Sequence, residues 1–392
     1  MNKILFTEEY CQPENLYPFT LTRQIQDIRV GILTIREKWE KAMGLPSFDR
    51  YEDDYKDLER SLTVSKAAQG GLCYMIHANV LPTPSLVKAV KKLKSGEFIS
   101  TNEDSGIVFC FTSKEIGDKH KIRVTKPVVF NEEIKALHYP WDIIQLNDWA
   151  IRQDFLLLRG KRKSQAIPGS NQLVSRSNIF IEKGAKLQHC ILNASNGPIY
   201  IGKNAEVMEG SLIRGPFAMG EGACVKMGAK IYGATTLGPY SIGGGEIKNS
   251  VLFGHSNKAH DGYLGDSVIG EWCNLGAGTT NSNLKNNASE VSIWTTKGLV
   301  KAGLKCGVLM GDYTRTAINT SINTGTVIGV SCNVFGMGLT PKYIPSFSWG
   351  SDGVSRYAFE KALQDIEGWK KLKSQTITDN EKSILKYIFK HF

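Results

Sequence analysis

The sequence contains no two cysteines separated by two residues, although eight cysteines are scattered along its 392 residues. Zinc sites and disulfide frameworks show such paired or regular spacings, so neither is predicted. No apolar run reaches the roughly 18 residues that a membrane-spanning helix needs. The chain also reaches Glu8 and Glu9 too soon for the apolar core of a signal peptide. Free thiols are typical of reducing compartments, so these absences predict a cytoplasmic protein without membrane insertion.

Positive charge is in modest excess, with a formal net charge of +10. Nucleic-acid binding would call for a basic stripe interleaved with aromatic residues, or a known recognition motif, and the sequence has neither. A few lysines and arginines in a groove would equally neutralise phosphorylated metabolites or coenzyme A. The net charge alone therefore does not identify the class of binding partner. It is also compatible with a protein that has no specific anionic partner.

An internal repeat with a period of six residues dominates the second half of the chain. Neither an amphipathic helix nor an alternating strand has this period. It fits triangular coils, in which each short strand points one residue inward and a small residue turns the corner. The sequence thus predicts a left-handed parallel β-helix of hexapeptide repeats over 172–352. Three runs carry the pattern: Ile201, Val207, Ile213, Met219, Val225, Ile231, Leu237; then Val251, Tyr263, Ile269, Leu275; then Leu304, Met310, Thr316, Ile322, Ile328, Val334.

The first 158 residues alternate between strand and helix patterns. Strands are predicted at 3–6, 72–76 and 106–112, with one helix from residue 24 and another over 84–96. Such alternation is typical of an α/β domain with a mainly parallel sheet.

Two further segments complete the predicted organisation. Residues 159–171 are basic and rich in helix-breaking residues, which indicates a linker. Residues 353–392 show helical spacing of apolar side chains, and we expect this tail to pack over the end of the β-helix.

The segment 243–287 departs most from the hexapeptide pattern and concentrates polar residues in a few coils. Its motif Lys258-Ala-His-Asp-Gly-Tyr-Leu-Gly-Asp266, followed by Asn274-Leu-Gly-Ala-Gly-Thr279 and Asn283, resembles the acetyltransferase half of bifunctional N-acetylglucosamine-1-phosphate uridyltransferase/glucosamine-1-phosphate N-acetyltransferases. The resemblance is nearly gapless over 246–283 and looser over about 200–336. It is specific because the histidine, the tyrosine three residues later and the GAGT turn occur together.

This resemblance implies acetyl transfer from acetyl-CoA to an amino-sugar phosphate. A base must take the amine proton, and histidine titrates near neutrality. The resemblance assigns that role to His260, with Glu246 orienting the imidazole and Asn283 positioning the amine. Lys248, Tyr263 and Lys226 would bind the sugar phosphate. On a β-helix face each of these residues could also be an ordinary surface or core side chain.

The coenzyme end of the resemblance is less regular. A backbone N–H in the turn Gly276-Ala277-Gly278 would stabilise the oxyanion. Asp312 stands where the family usually has serine, and Val330 where it has alanine, so the resemblance places both in the acetyl-CoA site while putting coenzyme contacts and acyl preference in doubt. A rival zinc site through His255 would require a third histidine, for which His189 is the remaining candidate.

The first domain resembles an alternate bacterial branch of the same enzymes, usually described as sugar nucleotidyltransferases. The segments 14–23 and 29–38 replace the glycine-rich loop of the standard enzyme, and the sequence has no glycine before Gly31. By this resemblance Arg23 and Lys38 would face a nucleoside triphosphate, with UTP the expected substrate. Asn79 and Asn147 would be tentative Mg²⁺ ligands, although a neutral amide is a poor ligand for a hard cation.

The resemblance therefore implies a homotrimeric two-domain enzyme of UDP-N-acetylglucosamine synthesis. Its C-terminal domain would acetylate glucosamine-1-phosphate, and its N-terminal domain would transfer a nucleotide to the product. Two alternatives stay open. One is an N-acyltransferase for another amino sugar with an inert first domain. The other is a non-catalytic regulatory partner of a sugar-nucleotide pyrophosphorylase.

Overall fold

The computed structural model describes residues 1–47, 70–101, 106–116 and 122–392. These residues form two compact units whose chain segments interleave. Unit 1 comprises Met1–Pro13, Gln24–Ile28 and Leu33–His138, and unit 2 comprises Glu14–Arg23, Arg29–Ile32 and Tyr139–Phe392. The predicted boundary near residue 158 therefore differs from the division that the structure makes.

Unit 1 contains a five-stranded sheet in the order β1-β2-β4-β3-β5. The β1–β2 and β3–β5 pairs are parallel, whereas β4 runs antiparallel to both β2 and β3. The prediction of a mainly parallel sheet is thus wrong for half of the strand pairs. The strands are β1 (Lys3–Thr7), β2 (Cys73–His77), β3 (Glu97–Ser100), β4 (Gly106–Phe111) and β5 (Lys126–Val129).

Two α-helices belong to unit 1: α1 (Ile35–Met43) and α2 (Pro84–Val90). The helix predicted from residue 24 begins only at Ile35, because Thr34 and Glu37 form a capping box there. The segment before it has only a 3₁₀ turn, Ile25–Asp27. Helix α2 begins as predicted, with a proline after the capping Thr83, but ends at Val90.

Unit 2 is built around a parallel β-helix with three faces. The nine-strand face contains Ile179–Ile181, Ile199–Ile201, Phe217–Met219, Thr235–Leu237, Val251–Gly254, Val268–Glu271, Leu309–Met310, Val327–Ile328 and Tyr343–Ile344. The eight-strand face contains Lys186–Leu187, Glu206–Val207, Cys224–Val225, Ile242–Gly243, Asn257–Lys258, Asn274–Leu275, Arg315–Thr316 and Asn333–Val334. The six-strand face contains Gln172–Val174, Ile191–Asn193, Leu212–Arg214, Lys230–Tyr232, Glu246–Lys248 and Tyr263–Gly265.

A continuous apolar column fills the β-helix, as the six-residue period predicts. Most predicted inward residues are buried in it, but Val251, Tyr263 and Leu304 are not; Leu252 rather than Val251 faces inward. Leu264 points inward beside Tyr263, and Leu304 lies 58% exposed after an insertion. That insertion carries an antiparallel hairpin, Ser292–Thr295 with Gly298–Lys301. Two short strands flank the hairpin in the chain and pair in parallel with each other: Thr280–Asn281 before it and Ser321–Ile322 after it.

Helix α3 (Asp142–Arg159) lies in unit 2 rather than in the N-terminal unit. Its Asn147 and Asp154 side chains accept hydrogen bonds from the backbone N–H groups of Gly31 and Ile32, at 2.7 and 2.8 Å. Gly31 has φ +77, and a Cβ there would lie 2.7 Å from Asp154 Oδ2. The close approach of α3 to this segment therefore requires glycine.

The C-terminal tail contains the two predicted helices, α4 (Phe359–Lys371) and α5 (Asp379–His391). Their apolar residues pack against Trp272, Tyr313 and Phe347, which lie on the last coils of the β-helix. The tail thus packs along a flank of the last coils. In the described residues, no helix combines the length and apolar character needed to cross a membrane.

Candidate active site

Four outward-facing side chains of the six-strand face come from three consecutive coils. In the strand register, Glu246 lies opposite Tyr263, and Lys248 lies opposite Tyr232. Ile247 between them is fully buried, so the alternation of a strand turns Glu246 and Lys248 toward the outer surface. The structure thus brings three predicted residues, Glu246, Lys248 and Tyr263, onto one patch.

Tyr232 holds the Glu246 carboxylate. Its hydroxyl donates a 2.5 Å hydrogen bond to Glu246 Oε1, and this bond, together with burial, raises the pKa of Tyr232 to about 12. The tyrosine therefore keeps its proton and fixes the carboxylate. Lys248 Nζ lies 5.9 Å from the centre of the same ring. Sequence analysis missed Tyr232, although its place one coil from Lys248 follows from the repeat register.

A second network joins Tyr263 to Asn283. The Asn283 amide donates to Tyr263 Oη at 3.2 Å and to Asp266 Oδ2. Asp266 is 5% exposed, and its other oxygen accepts a 2.7 Å bond from Asn249. Burial, then the charges of Asp266 and Glu246, raise the pKa of Tyr263. The Asn283 side-chain oxygen, Oδ1, accepts no bond from the described residues, which leaves it available to an amine.

His260 lies beside the Glu246 coil. A Cβ added at Gly245 would lie 2.7 Å from the His260 carbonyl oxygen, so the backbones of the two coils are in close contact there. The His260 side chain is exposed and has no hydrogen-bond partner within the part of the chain described. The predicted bond between Glu246 and His260 is not formed in this arrangement, because Glu246 binds Tyr232 instead.

The GAGT turn offers one free backbone donor. The Gly276 N–H donates to the Thr316 carbonyl and hydroxyl oxygens at 3.2 and 3.1 Å, and the Gly278 N–H donates to the Asp261 carbonyl at 3.0 Å. The N–H of Ala277 has no acceptor among the described residues. Among the N–H groups of Gly276, Ala277 and Gly278, only that of Ala277 is therefore available, within the described residues, to donate to an oxyanion.

Lys226 lies on the eight-strand side of the same coils. Its backbone N–H donates to the Gly243 carbonyl, and its Cβ would lie 3.3 Å from a Cβ added at Gly244. Gly244 in turn packs against the Ala259 carbonyl, so Lys226 stands two coils from the His260 loop. Its side chain is half-buried.

Two other predicted site residues, Arg23 and Asp312, form a buried ion pair, and a third, Val330, is buried in a neighbouring apolar cluster. Arg23 Nη2 donates to Asp312 Oδ2 at 2.5 Å, and the Thr22 hydroxyl donates to the same oxygen at 2.7 Å. The Glu271 N–H donates to the other Asp312 oxygen at 2.8 Å. Asp312 is 3% exposed and Val330 is fully buried. The structure therefore uses Arg23 and Asp312 to join the segment 14–23 to the β-helix, in place of the nucleotide and coenzyme contacts expected of them.

The remaining N-terminal candidates for metal binding are each bonded to protein groups within their own unit. Asn79 lies in unit 1, where its oxygen accepts from the Cys11 thiol at 3.3 Å and its amide donates to the Leu137 carbonyl at 3.0 Å. Asn147 lies in unit 2, fully buried, with both amide atoms bonded to Gly31, Ala234 and Thr236. These side chains therefore do not fit Mg²⁺. Lys38, on α1, is 3% exposed.

His255, the alternative zinc ligand, is stacked between two aromatic rings. Its ring centre lies 4.2 Å from Trp272 and 5.2 Å from Tyr240. Burial, then the positive charges of Lys373 and Lys370, lower its pKa to about 4. Within the described residues, no three His, Cys, Asp or Glu side chains converge as metal ligands would.

The stacked coils thus present an exposed histidine, a held carboxylate and a turn N–H without an acceptor among the described residues. The family model described as sugar nucleotidyl transferase matches residues 4–163. The resemblance to enzymes that combine both domains is thereby confirmed.

Curated relatives that match this chain are named as bifunctional proteins. The chain is 27% identical over 282 residues to the "Bifunctional sugar-1-phosphate nucleotidylyltransferase/acetyltransferase" of Sulfurisphaera tokodaii, which covers 68% of this chain and 62% of that protein. It is 27% identical over 227 residues to the "Bifunctional protein GlmU" of Methanocaldococcus jannaschii, covering 56% and 50%. The chain thus spans less than two thirds of these relatives' lengths.

A solved structure also matches part of the chain. The polySia-specific acetyltransferase NeuO aligns with 48% of this chain and 83% of its own, at 12% identity and a TM-score of 0.28.

Proposed function

We propose that this chain acetylates an amino-sugar 1-phosphate, namely glucosamine-1-phosphate, with acetyl-CoA as donor. One observation carries the proposal: consecutive coils place Glu246, Tyr263, the His260 backbone and the free N–H of Ala277 on neighbouring positions of the β-helix. An acyl transfer to an amine needs a base, a polar site for the acceptor and an oxyanion donor, and these residues supply all three.

The reaction begins with the amine of the sugar attacking the thioester carbonyl. His260 takes the amine proton as the carbon–nitrogen bond forms, and the Ala277 N–H donates to the carbonyl oxygen as it gains negative charge. The carbon–sulfur bond then breaks, and the imidazolium returns a proton to the coenzyme A thiolate. The products are the N-acetylated sugar phosphate and free coenzyme A.

The surrounding residues bind and orient the acceptor. The side-chain oxygen of Asn283 accepts a hydrogen bond from the sugar amine. Lys248 and Lys226 bind the sugar phosphate as point charges. Tyr232 keeps Glu246 in place, and in the proposed reaction the exposed His260 ring turns toward this carboxylate. This carboxylate then stabilises the charged form of the base.

The acetylation is tested on purified protein with acetyl-CoA and glucosamine-1-phosphate. We expect a new N-acetyl methyl signal in the proton NMR spectrum of the sugar phosphate, formed in step with free thiol. Thiol release with another amino sugar alone would favour the alternative N-acyltransferase. No acetylation of any amino sugar would contradict the proposal and favour the regulatory alternative.

We also assign nucleotidyl transfer to the N-terminal unit, with UTP as donor and N-acetylglucosamine-1-phosphate as acceptor. The family match over residues 4–163 and the names of the relatives support this assignment. Such transfers use Mg²⁺ to neutralise the triphosphate. Asn79 and Asn147 already bind protein groups and are not proposed as ligands of this ion.

A homotrimer is the assembly that we propose. On the six-strand face, Val174, Ile191 and Leu212 are 45%, 38% and 46% exposed and lie in neighbouring strands. Ile191 and Leu212 line a groove of about 470 Å³ that extends to Tyr232, next to Glu246. A second copy on this apolar strip would bring its own residues beside the exposed His260. Light scattering should give a molar mass near three chains, and a monomer would contradict this assembly.

The proposed cellular location is the cytoplasm. All eight cysteines are free thiols, and six of them are buried. Free thiols persist in a reducing compartment such as the cytoplasm.

A further inference from the structure

A lysine occupies the apolar column of the β-helix directly beneath the His260 loop. The inward positions of the eight-strand face lie in register from coil to coil: Leu187, Val207, Val225, Gly243, Lys258, Leu275, Thr316 and Val334. Seven of these residues are uncharged, and Lys258 is only 1% exposed. An inward lysine breaks the pattern that forms the core.

The Lys258 ammonium binds two backbone carbonyls. Its Nζ donates to the His260 carbonyl oxygen at 2.5 Å and to the Gly244 carbonyl oxygen at 3.3 Å. Gly244 belongs to the coil that carries Glu246, and His260 to the next coil. One side chain thus ties the two coils together at the residue proposed as the base.

Stability gives no reason for a lysine at this position. Burying an ammonium is unfavourable unless hydrogen bonds offset the loss of water. Burial lowers the pKa of Lys258 to about 8, with the Asp261 carboxylate opposing the shift. An apolar side chain of similar length would fill the column without this cost, because replacing buried charged groups by apolar ones is often neutral or stabilising.

We propose that Lys258 is a positioning residue for His260: the Lys258 side chain holds the backbone of the His260 loop in the orientation that acetyl transfer requires. The inference rests on the proposed role of His260. The imidazole has no hydrogen-bond partner in the described residues, so its placement is set through its backbone. A base displaced by a fraction of an ångström loses much of its effect, which makes an internal anchor for the loop valuable.

The Lys258→Met variant separates positioning from support of the fold. Methionine keeps an unbranched side chain of similar length but donates no hydrogen bond. We expect kcat for acetylation to fall about 10- to 100-fold, in line with a misplaced catalytic group. The KM for acetyl-CoA should change less than about twofold and Tm should stay equal or rise, because the apolar column is kept. Leu187→Met is the matched control, since it places the same side chain in the same column four coils away and should leave kcat unchanged.

Amide hydrogen–deuterium exchange of residues 259–263 tests the inference without relying on activity. We expect faster exchange there in Lys258→Met than in wild type, and no change in Leu187→Met. Unchanged exchange, or a lower Tm with normal kcat, would overturn the inference and leave Lys258 a structural residue. If wild type does not acetylate, the proposed function fails, and the exchange experiment still decides whether Lys258 holds the loop.

Discussion

Replacing His260 by asparagine is expected to lower kcat for acetyl transfer by about 10²- to 10⁴-fold, the usual contribution of a general base. Asparagine keeps a polar, planar side chain but cannot accept the amine proton at neutral pH. Because His260 is exposed and bonded to no other described side chain, its loss should leave Tm almost unchanged. The KM for both substrates should change little, since the base acts mainly in the transition state.

His189→Asn is the matched control for this prediction. His189 is another exposed histidine of the β-helix, and its φ of +56 is one that asparagine tolerates. It lies several coils from Glu246, so kcat should equal that of wild type. Nucleotide binding should be normal in both variants. If His260→Asn keeps full activity, His260 is not the base, and a different residue must take the amine proton.

Replacing Asp312 by alanine is expected to lower the free energy of unfolding by about 3–5 kcal/mol, as the loss of one partner of a buried ion pair typically does. Asp312 and Arg23 have side-chain exposures of 4% and 9%. Arg23 Nη1 already lacks a hydrogen-bond partner among the described residues, so the variant leaves a buried guanidinium with only Glu271, 3.7 Å away, as its counter-charge. Denaturant unfolding measures the loss.

A surface ion pair provides the control. Lys203 and Glu221 have side-chain exposures of 60% and 43%, and Glu221→Ala should cost less than about 1 kcal/mol. The double variant Arg23→Met/Asp312→Leu should recover most of the stability lost in Asp312→Ala, since it removes the unpaired charge. A loss below about 1 kcal/mol in Asp312→Ala would show that the pair does not hold the segment 14–23 to the β-helix.

The β-helix could be predicted from the sequence because its core depends on a local rule. Each coil places an inward side chain at a fixed spacing, so residues such as Ile201 and Val225 could be assigned without knowing any distant contact. The rule failed at Val251 and Tyr263, where the next residue along the chain is the inward one, and at Leu304, which follows an inserted hairpin and is exposed. The same register brought Glu246 and Tyr263 together.

Roles that depend on distant contacts could not be predicted. Arg23 looked like a phosphate ligand, but its partner Asp312 is 289 residues away in the chain. Asn147 looked like a metal ligand, although its amide joins α3 to Gly31 and Ala234. Tyr232 shows the opposite case, because its bond to Glu246 connects adjacent coils and the repeat register contained the information.

One coupled assay tests the account most directly. Purified protein is incubated with acetyl-CoA and glucosamine-1-phosphate while free thiol is followed, and UTP with Mg²⁺ is then added while pyrophosphate is followed. The proposed function predicts thiol release first and pyrophosphate release after the addition, with both absent when the sugar phosphate is omitted. Thiol without pyrophosphate would contradict nucleotidyl transfer from UTP, and the absence of both signals would contradict the proposed enzyme as a whole.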